Sequence, residues 1–166
     1  MVEHSKIIYL HGLESTSQSG KARIFAQKYP GMLTPDFSGS FHERMEQLNP
    51  ILGGGSGWRI IGSSFGGAMG AKFTCEHPDQ VNRLILLAPA LILPEFAMMN
   101  YPAIETPTVL IHGAQDEIVP AAPVKEISER VFKNLKYILV QDGHLLHKTM
   151  ADLNWDEIVL SLPMDK

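Results

Sequence analysis

The sequence has little of three features that would each point to a particular class of protein. Its 166 residues include one cysteine, Cys75, which excludes an internal disulfide and a thiolate-rich metal site. The longest apolar run, 84–93, contains Pro89 and is too short to span a bilayer. Lysine and arginine together number 14 against 18 acidic residues, which argues against a general nucleic-acid-binding protein.

The composition favours one folded domain with a sizeable core. Hydrophobic residues make up 45% of the chain and charged residues 19%, as is typical of a globular protein. A chain of this length suits one domain, so residues 1–166 are predicted to form a single domain. The N-terminal segment is polar and shows no signal peptide, which favours a soluble cytoplasmic protein without a membrane span.

Short apolar runs alternate with longer amphipathic segments along the chain. Six runs are predicted to be strands, at residues 7–10, 32–34, 58–62, 84–88, 108–112 and 137–140. Helices are predicted between and after them, at about residues 21–29, 43–48, 65–76, 124–132 and 146–159. The strands are apolar without alternation and the connections are long enough for crossovers. The pattern therefore predicts a parallel sheet covered on both faces, an open α/β sandwich.

One turn between a predicted strand and a predicted helix has the pattern of a nucleophile. The segment Gly62-Ser63-Ser64-Phe65-Gly66 matches G-x-S-x-G and precedes a helix rich in small residues. A sharp turn here would lift the Ser64 hydroxyl clear of the sheet. The Phe65 N–H would begin the helix unpaired and could bind an oxyanion. In the alternative interpretation, Ser63 or Ser64 merely caps the helix.

A nucleophilic serine needs a base, and the base needs an orienting acid. His144 follows the last predicted strand, at the sheet edge where ligands bind in open parallel sheets, and His147 is a weaker candidate. Asp116 follows the preceding strand and is the preferred acid, with Glu117 and Asp142 as alternates. In the alternative interpretations, Asp116 caps a turn and the two histidines form a metal pair that lacks a third ligand.

The loop after the first predicted strand would supply a second N–H group for an oxyanion. Gly12 allows a close backbone turn there, and the Leu13 N–H can then point at the substrate oxygen. His11 precedes the turn and is interpreted as a structural hydrogen-bonding residue rather than a base.

These motifs, in this order, resemble those of the α/β-hydrolase superfamily over essentially the whole chain. They are Leu10-His11-Gly12, Gly62-x-Ser64-x-Gly66, His112-Gly113-x-x-Asp116-x-x-Val119-Pro120 and Gly143-His144. The segment 8–12 followed by Ser19-Gly20-Lys21-Ala22 is similar to a group of compact bacterial serine esterases. The resemblance implies a three-layer, minimal α/β-hydrolase fold with about six mostly parallel strands.

The resemblance also implies roles for individual residues. Ser64 would be the nucleophile of a catalytic triad, His144 its base and Asp116 the partner of the base. The Leu13 and Phe65 N–H groups would form the oxyanion hole.

The resemblance is to a member without a cap domain. The 17 residues between Ala90 and Thr108 leave no room for the helical insertion of many relatives, so the site is expected to be open and shallow. Met98, Met99 and Tyr101 are expected to form a small apolar rim around it or to belong to ordinary packing.

The expected function is hydrolysis of small carboxylic or thio esters through an acyl-enzyme intermediate, without a cofactor or a metal. The expected partner is a small-molecule ester, and no nucleic acid is expected. Two alternatives remain open, a non-catalytic binding protein on the same scaffold and a small serine peptidase. A phosphate-binding loop is excluded because seven residues instead of four separate Gly12 from Gly20, and Ala22 replaces the required hydroxyl residue.

Overall fold

The computed structural model describes residues 1–162. In chain order, the strands and α-helices of this part are β1 (Ile7–Leu10), α1 (Gly20–Lys28), α2 (Phe41–Leu52), β2 (Trp58–Ser63), α3 (Phe65–Glu76), β3 (Val81–Leu87), α4 (Pro94–Ala97), β4 (Thr108–Gly113), α5 (Ala121–Val131), β5 (Leu135–Val140), α6 (His147–Asp152) and α7 (Trp155–Leu160). Two short 3-10 helices, His4–Lys6 and Pro78–Gln80, precede β1 and β3.

The strands form one sheet in the order β1-β2-β3-β4-β5, and every neighbouring pair is parallel. The predicted parallel sheet is confirmed, but the described residues form five strands, not six. Residue Leu33, from the sixth predicted strand, makes an isolated bridge with Ile8. Gly31 has a positive φ of 93° and Pro35 follows two residues after Leu33, so the chain between them is too short to extend the pairing.

Helices cover both faces of the sheet and produce three layers. One face packs against buried residues of α2, α3, α4 and α5, and the other packs against buried residues of α1, α6 and α7. Along β1, Ile8 and Leu10 belong to the first core and Ile7 and Tyr9 to the second. This division explains why the strands are apolar without alternation. Within residues 1–162, none of the helices combines the length and apolar character that crossing a membrane requires.

Helix α2 is longer than predicted at both ends. It begins after Ser40, whose hydroxyl accepts a hydrogen bond from the Glu43 N–H while the Glu43 carboxylate accepts one from the Ser40 N–H. It continues past Pro50 to Leu52, four residues beyond the predicted end at residue 48. Pro50 lies in the last turn, where it removes one backbone bond, and Leu52 is fully buried in the core.

The closing helix predicted at residues 146–159 is in fact two short helices, α6 and α7. Leu153 is extended between them, and Asn154 accepts a hydrogen bond from the Glu157 N–H, which starts α7. After the break, Trp155, Ile158 and Val159 of α7 pack in the same core as Met150 of α6.

Candidate active site

The three residues predicted to carry the chemistry follow three different strands. Ser64 comes directly after β2, Asp116 three residues after β4, and His144 four residues after β5. Because the strands are parallel, all three loops leave the same edge of the sheet. The structure brings the three side chains into contact there.

A continuous hydrogen-bonded path joins these side chains. His144 Nδ1 lies 2.7 Å from Asp116 Oδ2, and His144 Nε2 lies 3.0 Å from Ser64 Oγ. A carboxylate only accepts hydrogen bonds, so Nδ1 carries the proton and donates it to Asp116. Nε2 is then free to accept the hydroxyl proton of Ser64. The imidazole is oriented as a base must be oriented to activate a serine.

The Asp116 carboxylate is buried and held from several sides. Its Oδ1 accepts hydrogen bonds from the N–H groups of Ile118, at 2.9 Å, and Val119, at 2.8 Å. Burial by itself would raise the pKa of Asp116, but the bonds from Val119, His144 and Ile118 outweigh it and hold the pKa below its usual value. Asp116 therefore remains ionised throughout the neutral pH range.

The backbone at Ser64 is a sharp, strained turn between β2 and α3. Ser64 has φ 53° and ψ −113°, a conformation that a residue with a side chain adopts only when its surroundings impose it. Here the Ser64 N–H donates to the Leu87 carbonyl at 2.9 Å, and the Ser64 carbonyl accepts from the Ala90 N–H at 2.9 Å. The last residue of β3 and the loop that follows it therefore hold the turn from both sides.

Two glycines permit this turn by letting backbone segments approach closely. A Cβ at Gly62 would lie 2.5 Å from the Gly66 carbonyl oxygen. A Cβ at Gly66 would overlap the Leu10 carbonyl and lie 2.6 Å from the His11 carbonyl oxygen. The absence of a side chain at Gly66 therefore lets the loop after β1 pack directly against the first turn of α3.

We expect Gly66→Ala to destabilise the protein by about 3 kcal/mol, because the obstacle is backbone of β1 that cannot rotate away. Gly143→Ala is the matched control, since a Cβ at Gly143 meets nothing within 4 Å. Urea unfolding of both variants measures the difference. Equal stabilities would contradict the close packing of α3 on the loop after β1.

The two predicted oxyanion donors lie on the two sides of the close approach between the loop after β1 and the start of α3: Leu13 is in that loop and Phe65 begins α3. Within residues 1–162, neither the Leu13 N–H nor the Phe65 N–H has a hydrogen-bond partner. Gly12 lies beside the nucleophile, since a Cβ on it would be 3.8 Å from Ser64 Cβ. That contact is an ordinary one, so the turn does not need a glycine at position 12 for steric reasons, contrary to the expectation.

The alternate acids and base lie elsewhere. Asp142 accepts hydrogen bonds from the Gly143 N–H and from the N–H and hydroxyl of Thr149, and so holds the start of α6. Glu117 is exposed, and His147 is the first residue of α6. Within the described part of the chain, no group of three histidine, cysteine or acidic side chains could hold a metal ion.

His112 is a buried residue near the site for which no role was predicted. It is fully buried at the end of β4, and its Nε2 donates to the Val119 carbonyl at 2.8 Å and lies 3.3 Å from Asp116 Oδ2. Its Nδ1 is buried without a hydrogen-bond partner in residues 1–162. The sequence does contain a signal that could have identified this residue: it is polar, it lies at the end of an apolar strand, and it is four positions before Asp116.

Of the residues predicted to form an apolar rim, Tyr101 lies away from the nucleophile. Tyr101 bonds Lys72 and Glu76, which lie toward the far end of α3, at least eight residues and about 12 Å along the helix from Ser64. Met98 and Met99 are exposed. Residues 91–107 contain the one-turn helix α4 and no inserted domain, as predicted.

The fold and the sequence both match known hydrolases. The family model described as phospholipase/carboxylesterase matches residues 56–153, which is more than half of the chain. The protein therefore belongs to the phospholipase/carboxylesterase family, and the predicted membership of the α/β-hydrolase superfamily is confirmed.

One curated relative is similar to about half of the chain, and several solved structures are similar to most of it. Human serine hydrolase-like protein 2 is 32% identical over 91 residues, 52% of this chain and 29% of that protein, so the match spans less than a third of the relative. A protein described as a hydrolase of the α/β superfamily, from Xanthomonas campestris pv. campestris, has a TM-score of 0.71 and 24% identity, covering 87% of this chain and 90% of that one. Mouse alpha/beta hydrolase domain-containing protein 10 has a TM-score of 0.69 and 18% identity, covering 87% and 86%.

Proposed function

We propose that the protein is a serine hydrolase that cleaves small carboxylic or thio esters through an acyl-enzyme intermediate. The observation that carries the proposal is the hydrogen-bonded path from Asp116 through His144 to Ser64 at the carboxyl edge of the sheet. The family membership supports the same class of reaction. No cofactor or metal takes part in the proposed mechanism.

The first half of the reaction transfers the acyl group to the protein. Ser64 Oγ attacks the ester carbonyl carbon while His144 Nε2 takes the hydroxyl proton. The carbonyl electron pair moves to the oxygen, and the resulting oxyanion accepts hydrogen bonds from the Leu13 and Phe65 N–H groups. When the intermediate collapses, the bond to the leaving oxygen or sulfur breaks and His144 returns the proton to the departing alcohol or thiol.

The second half releases the acid and restores the protein. A water molecule attacks the acyl carbon while His144 Nε2 takes one of its protons. The bond to Ser64 Oγ then breaks, the carboxylic acid departs, and His144 returns the proton to Ser64. Asp116 keeps its charge throughout and stabilises the imidazolium that forms in each half.

The surroundings of the site favour substrates with apolar groups. Three large apolar side chains that neighbour the proposed machinery in sequence are well exposed: Leu13 at 54%, Ile118 at 69% and Leu145 at 56%. With no inserted domain between β3 and β4, we expect these short loops to form the walls of the site. Such walls suit a small apolar acyl group and place few limits on the size of the alcohol.

The test is covalent labelling of the native protein with a fluorophosphonate, followed by intact mass and peptide mapping. We expect a single adduct on Ser64. Heat-denatured protein is the matched control and should not react. A series of p-nitrophenyl esters and matching thioesters of increasing acyl length then defines the preferred substrate.

The labelling and ester assays also define the result that contradicts the proposal. A folded protein that takes up no fluorophosphonate and hydrolyses none of the esters contradicts the proposal, and the non-catalytic binding protein would become the better interpretation.

A further inference from the structure

A buried arginine lies behind the loop that carries Leu13. Arg44, at the start of α2, is 4% exposed. Its guanidinium donates to backbone carbonyls, from Nε to Gly39 at 3.1 Å, from Nη1 to Gly12 at 3.4 Å and from Nη2 to Leu13 at 3.0 Å. No carboxylate in residues 1–162 forms an ion pair with Arg44, although buried charges are normally paired. What distinguishes Arg44 from the other buried arginine, Arg59, is that its guanidinium bonds the loop after β1.

The Gly12 carbonyl belongs to the same peptide unit as the Leu13 N–H. That carbonyl also accepts hydrogen bonds from His11 Nδ1 at 2.7 Å and from the Ser15 N–H at 3.3 Å. His11 Nε2 accepts from the Phe37 N–H at 2.8 Å, so Nδ1 carries the ring proton and donates it. The carbonyl and N–H of a trans peptide point in opposite directions. The groups that donate to the Gly12 oxygen therefore fix the direction of the Leu13 N–H, which points away from them. This N–H has no hydrogen-bond partner in residues 1–162.

Arg44 also contacts the residue that carries the other unpaired N–H. Its guanidinium carbon lies 5.0 Å from the centre of the Phe65 ring, within cation–π range, and Phe41 meets the same ring edge to face at 5.3 Å. One side chain thus connects the loop after β1 with the start of α3, where the two N–H groups lie.

The position of Arg44 is itself fixed by the start of α2. Ser40 and Glu43 bond each other's N–H groups at this helix terminus, which sets the direction in which the next residue leaves the helix. Burial lowers the pKa of Arg44, but the guanidinium pKa starts so high that the group stays charged at neutral pH.

We infer that Arg44 is a positioning residue of the proposed oxyanion hole: it fixes the Gly12–Leu13 peptide so that the Leu13 N–H faces the reacting carbonyl oxygen, and it holds that loop against Phe65. Its charge also polarises the peptide, which makes the Leu13 N–H a stronger donor. This inference rests on the proposed function.

The test compares Arg44→Met with Arg59→Met. Arg59 is 2% exposed and its guanidinium also bonds backbone carbonyls, those of Val159 and Ser161, but it lies at the start of β2, away from the loop after β1. We expect Arg44→Met to lower kcat by about 10- to 100-fold, less than the loss of a whole oxyanion donor, with KM nearly unchanged. Binding of a trifluoromethyl ketone, which forms a tetrahedral oxyanion on Ser64, should weaken by the same factor. Arg59→Met should cost stability and leave kcat unchanged.

A second readout does not depend on activity. In proton–nitrogen NMR spectra, the Leu13 amide should shift and exchange faster with solvent in Arg44→Met but not in Arg59→Met. Arg44→Lys should fold and recover only part of kcat, because one ammonium cannot bond two carbonyls in the fork geometry of a guanidinium.

The outcomes separate the inference from the proposed function. An active wild type whose kcat is unaffected by Arg44→Met, or equally affected by Arg59→Met, overturns the role of Arg44 and leaves the serine hydrolase standing. A wild type that neither labels nor hydrolyses esters contradicts the proposed function. In that case an unchanged Leu13 amide in Arg44→Met overturns the positioning of the peptide as well, and a changed one upholds it.

Discussion

Replacing Ser64 with alanine should lower kcat for the best ester substrate by a factor on the order of 10⁶ and abolish fluorophosphonate labelling. The best-measured serine hydrolase loses that much when its nucleophile is removed. Alanine keeps the Cβ, and the backbone bonds of residue 64 to Leu87 and Ala90 do not involve the hydroxyl. The variant should therefore fold normally, as circular dichroism and thermal unfolding can verify.

Ser63→Ala is the matched control for this experiment. It removes a hydroxyl from the adjacent residue, which is the last residue of β2 and 8% exposed. We expect the control to keep most of its activity and its label. A Ser64→Ala protein that still hydrolyses esters at the wild-type rate would show that another group performs the reaction.

Asp116→Asn should lower kcat by a factor on the order of 10⁴, as in the best-studied triad. An asparagine fits the space, but its amide has one oxygen where the carboxylate has two. If the oxygen accepts from the Ile118 and Val119 N–H groups, the NH₂ group faces His144 Nδ1. Nδ1 must then accept, the ring proton moves to Nε2, and the base can no longer take the proton of Ser64.

Asp142→Asn tests whether the acid has been assigned correctly. Asp142 is close to His144 in sequence, but its carboxylate holds Gly143 and Thr149 rather than the imidazole. We expect this variant to lose some stability and less than about tenfold in kcat. Steady-state kinetics on both variants decides the assignment. A harmless Asp116→Asn together with an inactive Asp142→Asn would reverse it.

The strands, most helices and the grouping of Ser64, Asp116 and His144 could be predicted because they depend on local patterns. Apolar runs identify the strands, and parallel strands bring their carboxyl ends together wherever the loops lie in sequence. The position of Asp116 three residues after β4, in a turn closed by Val119, could be seen in the same way.

The features that escaped prediction depend on tertiary contacts. Burial of Leu52 carries α2 past Pro50, and the packing of Trp155 accompanies the division of the closing helix. Arg44 lies 32 residues from Gly12, and nothing in the surrounding helical pattern indicates that its guanidinium turns inward. These three features depend on which surfaces of the folded chain contact each other. A local sequence pattern carries no information about those contacts.

The strand order β1-β2-β3-β4-β5 bears on when the candidate site is assembled during folding. Each strand pairs with the next one in the chain, so the sheet can grow by adding one strand at a time to an existing edge. The connection between β1 and β2 has 47 residues, whereas the later additions of β3, β4 and β5 close connections of 17, 20 and 21 residues. Ser64, Asp116 and His144 follow β2, β4 and β5, so the constellation stays incomplete until β5 has docked. If Ser64 is the nucleophile, as proposed, its reactivity would report the completion of folding and not its nucleation, because the proposed base joins the site only after β5 is in place.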